Sequence, residues 1–383
     1  MKRQMILLAM SLIAAPSLPA QPGLAAPAWV RDAQRMKPEN VPAGDYPYLA
    51  QWIANNAKPP EEYFLGLYKR HDVIIFGEGH NVREHKEFII NLLPRLYHQA
   101  GVRCIGWEFS NPSTDAQLER LVTAPQSDPQ ALLDFARTQV AASWNSKEHW
   151  DLIEAVRKLN ASLPEGKPRM RMVGIDITVD WTDLYIKIKT VKRDTPEGAE
   201  LQKTYLARDV IMAENAARET LEKGVKALLF VGRGHDETHV GVPPDPPYNR
   251  PIMGGLLHNK YGERVFQVAP DGGEFTVLQR AMEAHNHKPA GFDLFRSPFA
   301  TILNSEMGSV ERPLANLARG YIYFGKCQQL HGNTPIKGFV TEEMYRRHRR
   351  YYEIDYGVKF DTAKEFDEYL QGRRWKIRCP APR

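Results

Sequence analysis

Apolar residues in this chain gather into short unbroken runs, and four of these runs end alike. Val73-Ile74-Ile75-Phe76 opens into Gly77-Glu78-Gly79-His80, Cys104-Ile105-Gly106-Trp107 is followed by Glu108, Met172-Val173-Gly174-Ile175 by Asp176, and Leu228-Leu229-Phe230-Val231 by Gly232-Arg233-Gly234-His235. A β-branched or aromatic run bounded by glycine reads as a buried strand. One that empties into ionisable side chains reads as a strand whose carboxyl end borders a site. We read the four as neighbouring strands that deliver their last residues to one edge. Val265 to Ala269 and Gly320 to Phe324 predict a fifth and a late strand.

Between the strands the period changes. Val82, Phe88, Ile89, Leu92, Leu93 and Leu96 recur at helical spacing over Val82 to Gln99, with Pro94 predicting a kink or early end. Helices are also expected at Tyr46 to Asn56, Pro60 to Arg70, Asp183 to Lys192, Ile252 to Tyr261, Thr341 to Tyr352 and Thr362 to Leu370. One longer helix, Ala199 to Lys223, is stopped by Gly224. Leu118 to Val122, Pro129 to Val140 and Lys147 to Leu159 make an all-helical insertion at 111–167, the kind of element that walls a cleft. The proline-rich stretch Val240 to Tyr248 is expected to be an irregular rim or lid. Alternating strands and helices place the chain in the α/β class. The expected form is a largely parallel sheet with helices on both faces, a helical insertion and a C-terminal helical extension. The expected units are a signal peptide at 1–25, an N-terminal leader at 26–70 packed against the first strand, an α/β domain at 71–326 and the extension at 327–383.

The signal peptide rests on Lys2 and Arg3, the apolar run Met5 to Ala15, and small residues before a cut after Ala25. The run is too short to span a bilayer, so the expected product is periplasmic or secreted, with no transmembrane segment after cleavage. A formal charge of +5 over 383 residues is mild and names no partner. The basic stretch Arg346-Arg347-His348-Arg349-Arg350 reads as a solvated helix face, so no nucleic acid is expected. Three cysteines are too few for a disulfide scaffold: Cys104 reads as a buried free thiol, and Cys327 and Cys379 could pair in an oxidising compartment and clamp the tail.

Parallel sheets hold ligands outside the carboxyl ends of their strands, which is where Glu78, His80, Glu108, Asp176 and His235 fall. Glu78 and His80, two apart, share one pocket if the backbone stays extended through Gly79. A carboxylate beside an imidazole raises its basicity and fixes its tautomer, so His80 is a candidate general base for water, with His235 holding an oxyanion or protonating a leaving group. The same residue types suit a divalent metal, with His80, Glu108 and His235 as alternative ligands. Glu84, one turn beyond His80, is a candidate substrate contact or an acid in a first helical turn. His85, His98, His149 and His258 show no such pattern and read as surface or satisfied core histidines. No G-x-S-x-G, P-loop or G-x-G-x-x-G is present, which removes the usual support for serine-hydrolase, nucleotidase and dinucleotide readings.

From Val73 to His239 the chain resembles the superfamily that joins erythromycin esterase-type hydrolases, ChaN-like haem-binding proteins and Tiki-type metalloproteases. Phe76-Gly77-Glu78-Gly79-His80 with Glu84 is similar to the first esterase motif, with one residue fewer between Glu and His, a form closer to the ChaN-like and Tiki-type branches. Glu108 matches the second motif. Trp150 to Ala161, then Val173-Gly174-Ile175-Asp176, and Arg208-Asp209 with Met212-Ala213 and Asn215 look esterase-like, whereas Gly232-Arg233-Gly234-His235 with Gly241-Val242-Pro243 resembles the ChaN-like ending. The resemblance implies water attack on an ester or lactone of a small molecule. His80 is then the base, Glu78, Glu108 and His235 work with it, and Glu84, Asp176 and Arg208 meet the substrate. No cofactor is required and no macrolide is implied. The alternatives it implies are a Tiki-type metal-dependent hydrolase or protease, and a ChaN-like binder of haem or iron.

Overall fold

The computed structural model describes residues 23–139, 144–238, 251–273, 275–304, 311–373, 377 and 379. Residues 1–22 of the expected signal peptide and the proline-rich stretch from Val240 to Tyr248 lie outside the described residues. Seven strands form one sheet: β1 Val73–Glu78, β2 Cys104–Trp107, β3 Arg171–Gly174, β4 Ala227–Gly232, β5 Val265–Pro270, β6 Ala290–Asp293 and β7 Gly320–Tyr323. Their spatial order is β3-β2-β4-β1-β5-β7-β6, parallel except for β6, which runs antiparallel to β7. The four strands singled out by pattern are indeed neighbours, with β1 and β2 flanking β4 and the register Val73↔Ala227 and Cys104↔Ala227.

Strand alternation explains why both faces need helices. Ile74, Phe76, Leu228 and Phe230 point into one core with Ile89, Leu92 and Trp150, while Val73, Ile75, Leu229 and Val231 point into another with Met212, Ala216 and Leu257. Being buried on both faces, these strands read as continuous apolar runs rather than as an alternation. Among the described residues no helix is long and apolar enough to cross a membrane.

The early end expected at Pro94 is present: the α-helix Arg83–Arg95 stops one residue beyond it and passes into a wider turn, Leu96–Ala100, closed by Gly101 at φ 78°. The hydrogen bond that proline forfeits falls in the last turn, where the ladder is already loosening. The long helix Ala199 to Lys223 is two helices, Pro196–Leu206 and Arg208–Glu219, broken at Ala207. Leu206 and Ile211, whose spacing in a continuous helix would suit packing on the sheet, are exposed, because the break turns Arg208 and Asp209 inward instead. The leader is split: Pro60–Leu67 packs on β1 through Phe64 against Phe76, whereas Leu49 and Ile53 of Tyr46–Asn56 sit in a cluster with Leu278, Phe292 and Tyr321 at the other edge. That edge holds β6 and the helix Thr276–Ala284, neither of which was anticipated. In the C-terminal extension, helix Glu342–Tyr356 buries Met344, Tyr345, His348, Tyr351 and Tyr352, leaving its arginines outside.

Cys327 and Cys379 form a disulfide that closes a loop of 52 residues, and Cys104 is a buried free thiol pushed up to about 12 by burial. Denatured, unreduced protein should therefore titrate one thiol per chain. Constraining a loop of that length in the unfolded chain contributes about 4 kcal/mol, so reduction should lower the melting temperature measurably.

Candidate active site

β1 stops at Glu78 and a turn follows, closed by the Val82 N–H on the Gly79 carbonyl, with His80 Nδ1 2.5 Å from Glu78 Oε1. The expected pairing is present. His85 props that turn: its Nδ1 accepts the Gly79 N–H at 2.9 Å and its Nε2–H donates to the Asp271 carbonyl at 3.0 Å. Burial, with Lys86 adjacent, pushes His85 down to about 3, so it is neutral.

Glu78 is fully buried. Lys86, also buried, ion-pairs with it and donates to the carbonyls of Gly79 and Val82 at 2.6 and 3.1 Å. Burial opposes a charge on Glu78, yet Lys86 and His80 hold its carboxyl well below the usual range. His149 reaches the same carboxylate from the helical insertion, Nε2 to Oε1 3.4 Å, with Nδ1 2.9 Å from Ser146 Oγ. Burial and Lys86 push His149 down to about 4, so it too is neutral. An ionised Glu78 accepts the His80 Nδ1–H, which leaves Nε2 as the acceptor a general base needs. The His80 ring is 40% exposed and meets Trp144 at 4.6 Å and Phe109 at 5.8 Å between ring centres.

The second group hangs on Arg208, placed by the helix break. Its Nε and Nη2 grip Asp176 at 2.8 Å each, Nη2 also reaches Glu108 Oε1 at 2.9 Å, and its guanidinium lies 4.5 Å over Trp181. His235 sits alongside, Nδ1 2.8 Å from Asp209 Oδ1 and Nε2 3.4 Å from Glu108 Oε1. Burial disfavours a charge on His235, but Glu108 and Asp209 lift it to about 9, so it is an imidazolium near neutrality. Burial likewise opposes the Glu108 charge, and His235 with Arg208 holds that carboxyl far below its usual range. The two groups meet at Gly232, whose N–H donates to Glu108 and whose Cα backs onto the His80 ring.

Because the His235 value exceeds its ordinary 6.5, its stabilisation is present in full below about pH 6.5 and is lost as pH rises through 9. Thermal melts should fall from about pH 7 to about pH 10, and His235→Asn should flatten that slope. A slope unchanged in the variant would assign it to another group.

Six of the seven residues expected at the site converge: Glu78, His80, Glu108, Asp176, Arg208 and His235. Glu84 does not. Its carboxylate turns to His331, accepting the backbone N–H at 3.0 and 3.1 Å. That bond belongs to a strap in which Asn333 Nδ2 donates to the His80 carbonyl at 2.6 Å and Thr334 N–H donates to Glu148 at 2.8 Å. The strap ties the His80 turn to the helical insertion. Sequence reasoning missed Lys86, His149 and Asp209 as site residues. Lys86 carried a signal, a charge on the apolar stripe of Val82, Ile89 and Leu93, and Asp209 carried one through its place beside Arg208 in the esterase-like segment, whereas His149 carried none.

Donor atoms of Glu78, His80 and His149 lie within 4.8 Å of one another, a spacing that accepts a divalent ion, although Lys86 already balances the only carboxylate among them. The alternative set His80, Glu108 and His235 fits poorly, since both His235 nitrogens are spoken for by Asp209 and Glu108.

Neither a scan against family models nor a search of curated proteins returns a match. Among solved structures, a succinoglycan biosynthesis protein matches with a TM-score of 0.55 at 12% identity, over 76% of this chain and 99% of that one. A Bacillus cereus protein matches at 0.54 and 14% identity, over the same shares. An erythromycin esterase in its open conformation matches at 0.45 and 12% identity, over 68% of this chain and 92% of that one, and ChaN of Campylobacter jejuni is in the set. The chain thus shares the fold of the first two.

Proposed function

We propose that this chain is an exported hydrolase that adds water to an ester or lactone carbonyl of a small molecule. The observation that supports the reading most is the His80–Glu78 contact at 2.5 Å, with the carboxylate locked by Lys86 and His149 and a cationic His235–Arg208 pair adjoining across Gly232. Nε2 of His80 takes a proton from water as the water oxygen bonds to the carbonyl carbon. The resulting oxyanion forms beside His235 and Arg208, which act on it through the field of their charges, since their N–H groups are held by Asp209, Glu108 and Asp176. On collapse the carbon–oxygen bond to the leaving group breaks, and His80 returns the proton to the departing alkoxide. Trp144, half-buried with its ring 4.6 Å from that of His80, offers flat apolar surface beside the base, which suits a substrate with a ring or apolar face. The test is a broad panel of esters and lactones: turnover is expected for at least one, and none above the His80→Ala background would sink the reading.

The convergence of Glu78, His80 and His149 supports a second reading, a metal-dependent hydrolase. Bound ion would supply Lewis acidity at the same edge. Metal analysis of protein purified without chelator decides between them: stoichiometric metal lost in His149→Ala favours the second, and full activity of metal-free protein removes it.

A further inference from the structure

A groove of about 1010 Å³ opens at the opposite edge of the sheet, where the strands begin. Lys226 immediately precedes β4, Ala100 closes the turn before β2, and Asp293 ends the antiparallel β6. The groove is therefore separated from His80 by the length of the strands.

Six basic side chains line it, Lys58, Lys69, Arg70, Arg95, Lys226 and Arg296, against two acidic ones, Glu62 and Asp293. The whole chain carries only +5, so most of its excess charge is gathered in one concavity. Part of it is committed internally: Arg70 lies 3.6 Å from Asp293, Arg95 Nε donates to Gln99 Oε1, and Lys226 Nζ donates to the Tyr68 carbonyl at 2.6 Å. Asp293 is engaged as well, accepting the Tyr63 hydroxyl at 3.0 Å. Lys58, Lys69 and Arg296 are exposed and meet no carboxylate among the described residues. Like charges held in a cleft with protein walls repel one another and focus a positive potential, an arrangement relieved by a bound anion.

We infer that this groove binds a small anion carrying two or more phosphate or carboxylate groups, at a site separate from the hydrolytic one. The concave shape selects a compact solute over a flat bilayer surface, and several cations spread along the walls select a multivalent anion over a monovalent one.

Calorimetric titration of the full chain at low salt, with inorganic tripolyphosphate in one arm and citrate in the other, tests this and separates phosphate from carboxylate recognition. Saturable one-to-one binding is expected in at least one arm. Lys58→Ala with Arg296→Ala should weaken it about tenfold, as expected for losing two partly screened ion contacts. Both side chains are exposed, and a thermal melt confirms that the double variant is folded. Arg346→Ala with Arg350→Ala removes the same charge from helix Glu342–Tyr356 and should leave binding unchanged, as should His80→Ala. No saturable binding in either arm, equal weakening in the charge-matched control, or loss in His80→Ala would each overturn the assignment.

Discussion

Lys86→Met is expected to destabilise the fold by about 3–5 kcal/mol, the range for removing one partner of a buried ion pair. Lys86 and Glu78 are both enclosed, with side-chain exposures of 1% and 0%. Without the ammonium, Glu78 must stay charged in a site that has lost its counter-ion, or take up a proton and give up its hold on His80. The Gly79 and Val82 carbonyls also lose the donor that closes the turn. Methionine has a similar reach, so the loss reads the charge rather than an empty cavity. Chemical denaturation is the measurement, and Glu78→Gln in the Lys86→Met background should recover most of the difference, since the buried anion is then gone. Equal stability of Lys86→Met and the parent would mean that Glu78 is already neutral, and the argument for His80 as a base would lose its support.

The strand ends were legible because a parallel sheet converts a one-dimensional signal into position. Each apolar run fixes a strand, and the residue after it must stand at the same edge. Glu78, Glu108, Asp176 and His235 could be read that way without knowing the strand order. Lys86 was half legible, as a charge on an apolar helical stripe with no indication of its partner. His149 was not, because the insertion that carries it returns to β1 by tertiary packing alone, 71 residues away from Glu78. The break at Ala207 was hidden for a related reason. Leu206 and Ile211 fit a continuous helical period, and the chain departs from it because Arg208 is drawn to Asp176 and Glu108, a tertiary preference that overrides local spacing. The antiparallel β6 was missed because four residues with one glycine carry too little period to register.

If His80 is the base, its loss and its displacement should differ in a measurable way. His80→Ala removes the acceptor for the water proton and is expected to lower kcat/KM on the best substrate by about 10²–10⁴-fold, the usual range for general-base catalysis. Gly232→Ala leaves His80 in the chain but moves it: a β-carbon there would stand 2.2 Å from His80 Cε1 and 2.7 Å from Nε2, closer than atoms can approach. The backbone of β4 is buried and hydrogen-bonded on both sides, whereas the His80 ring is 40% exposed, so the ring yields. Swinging away costs it the bond to Glu78 or the line to the adjoining cations, and a misplacement of about 1 Å can cost roughly 10²-fold. Stability should change little, because solvent receives the displaced ring. Gly232→Ala with near-parental melting and a rate close to that of His80→Ala would place the chemistry on the His80 ring and its orientation. Retention of full activity in that variant would move it elsewhere.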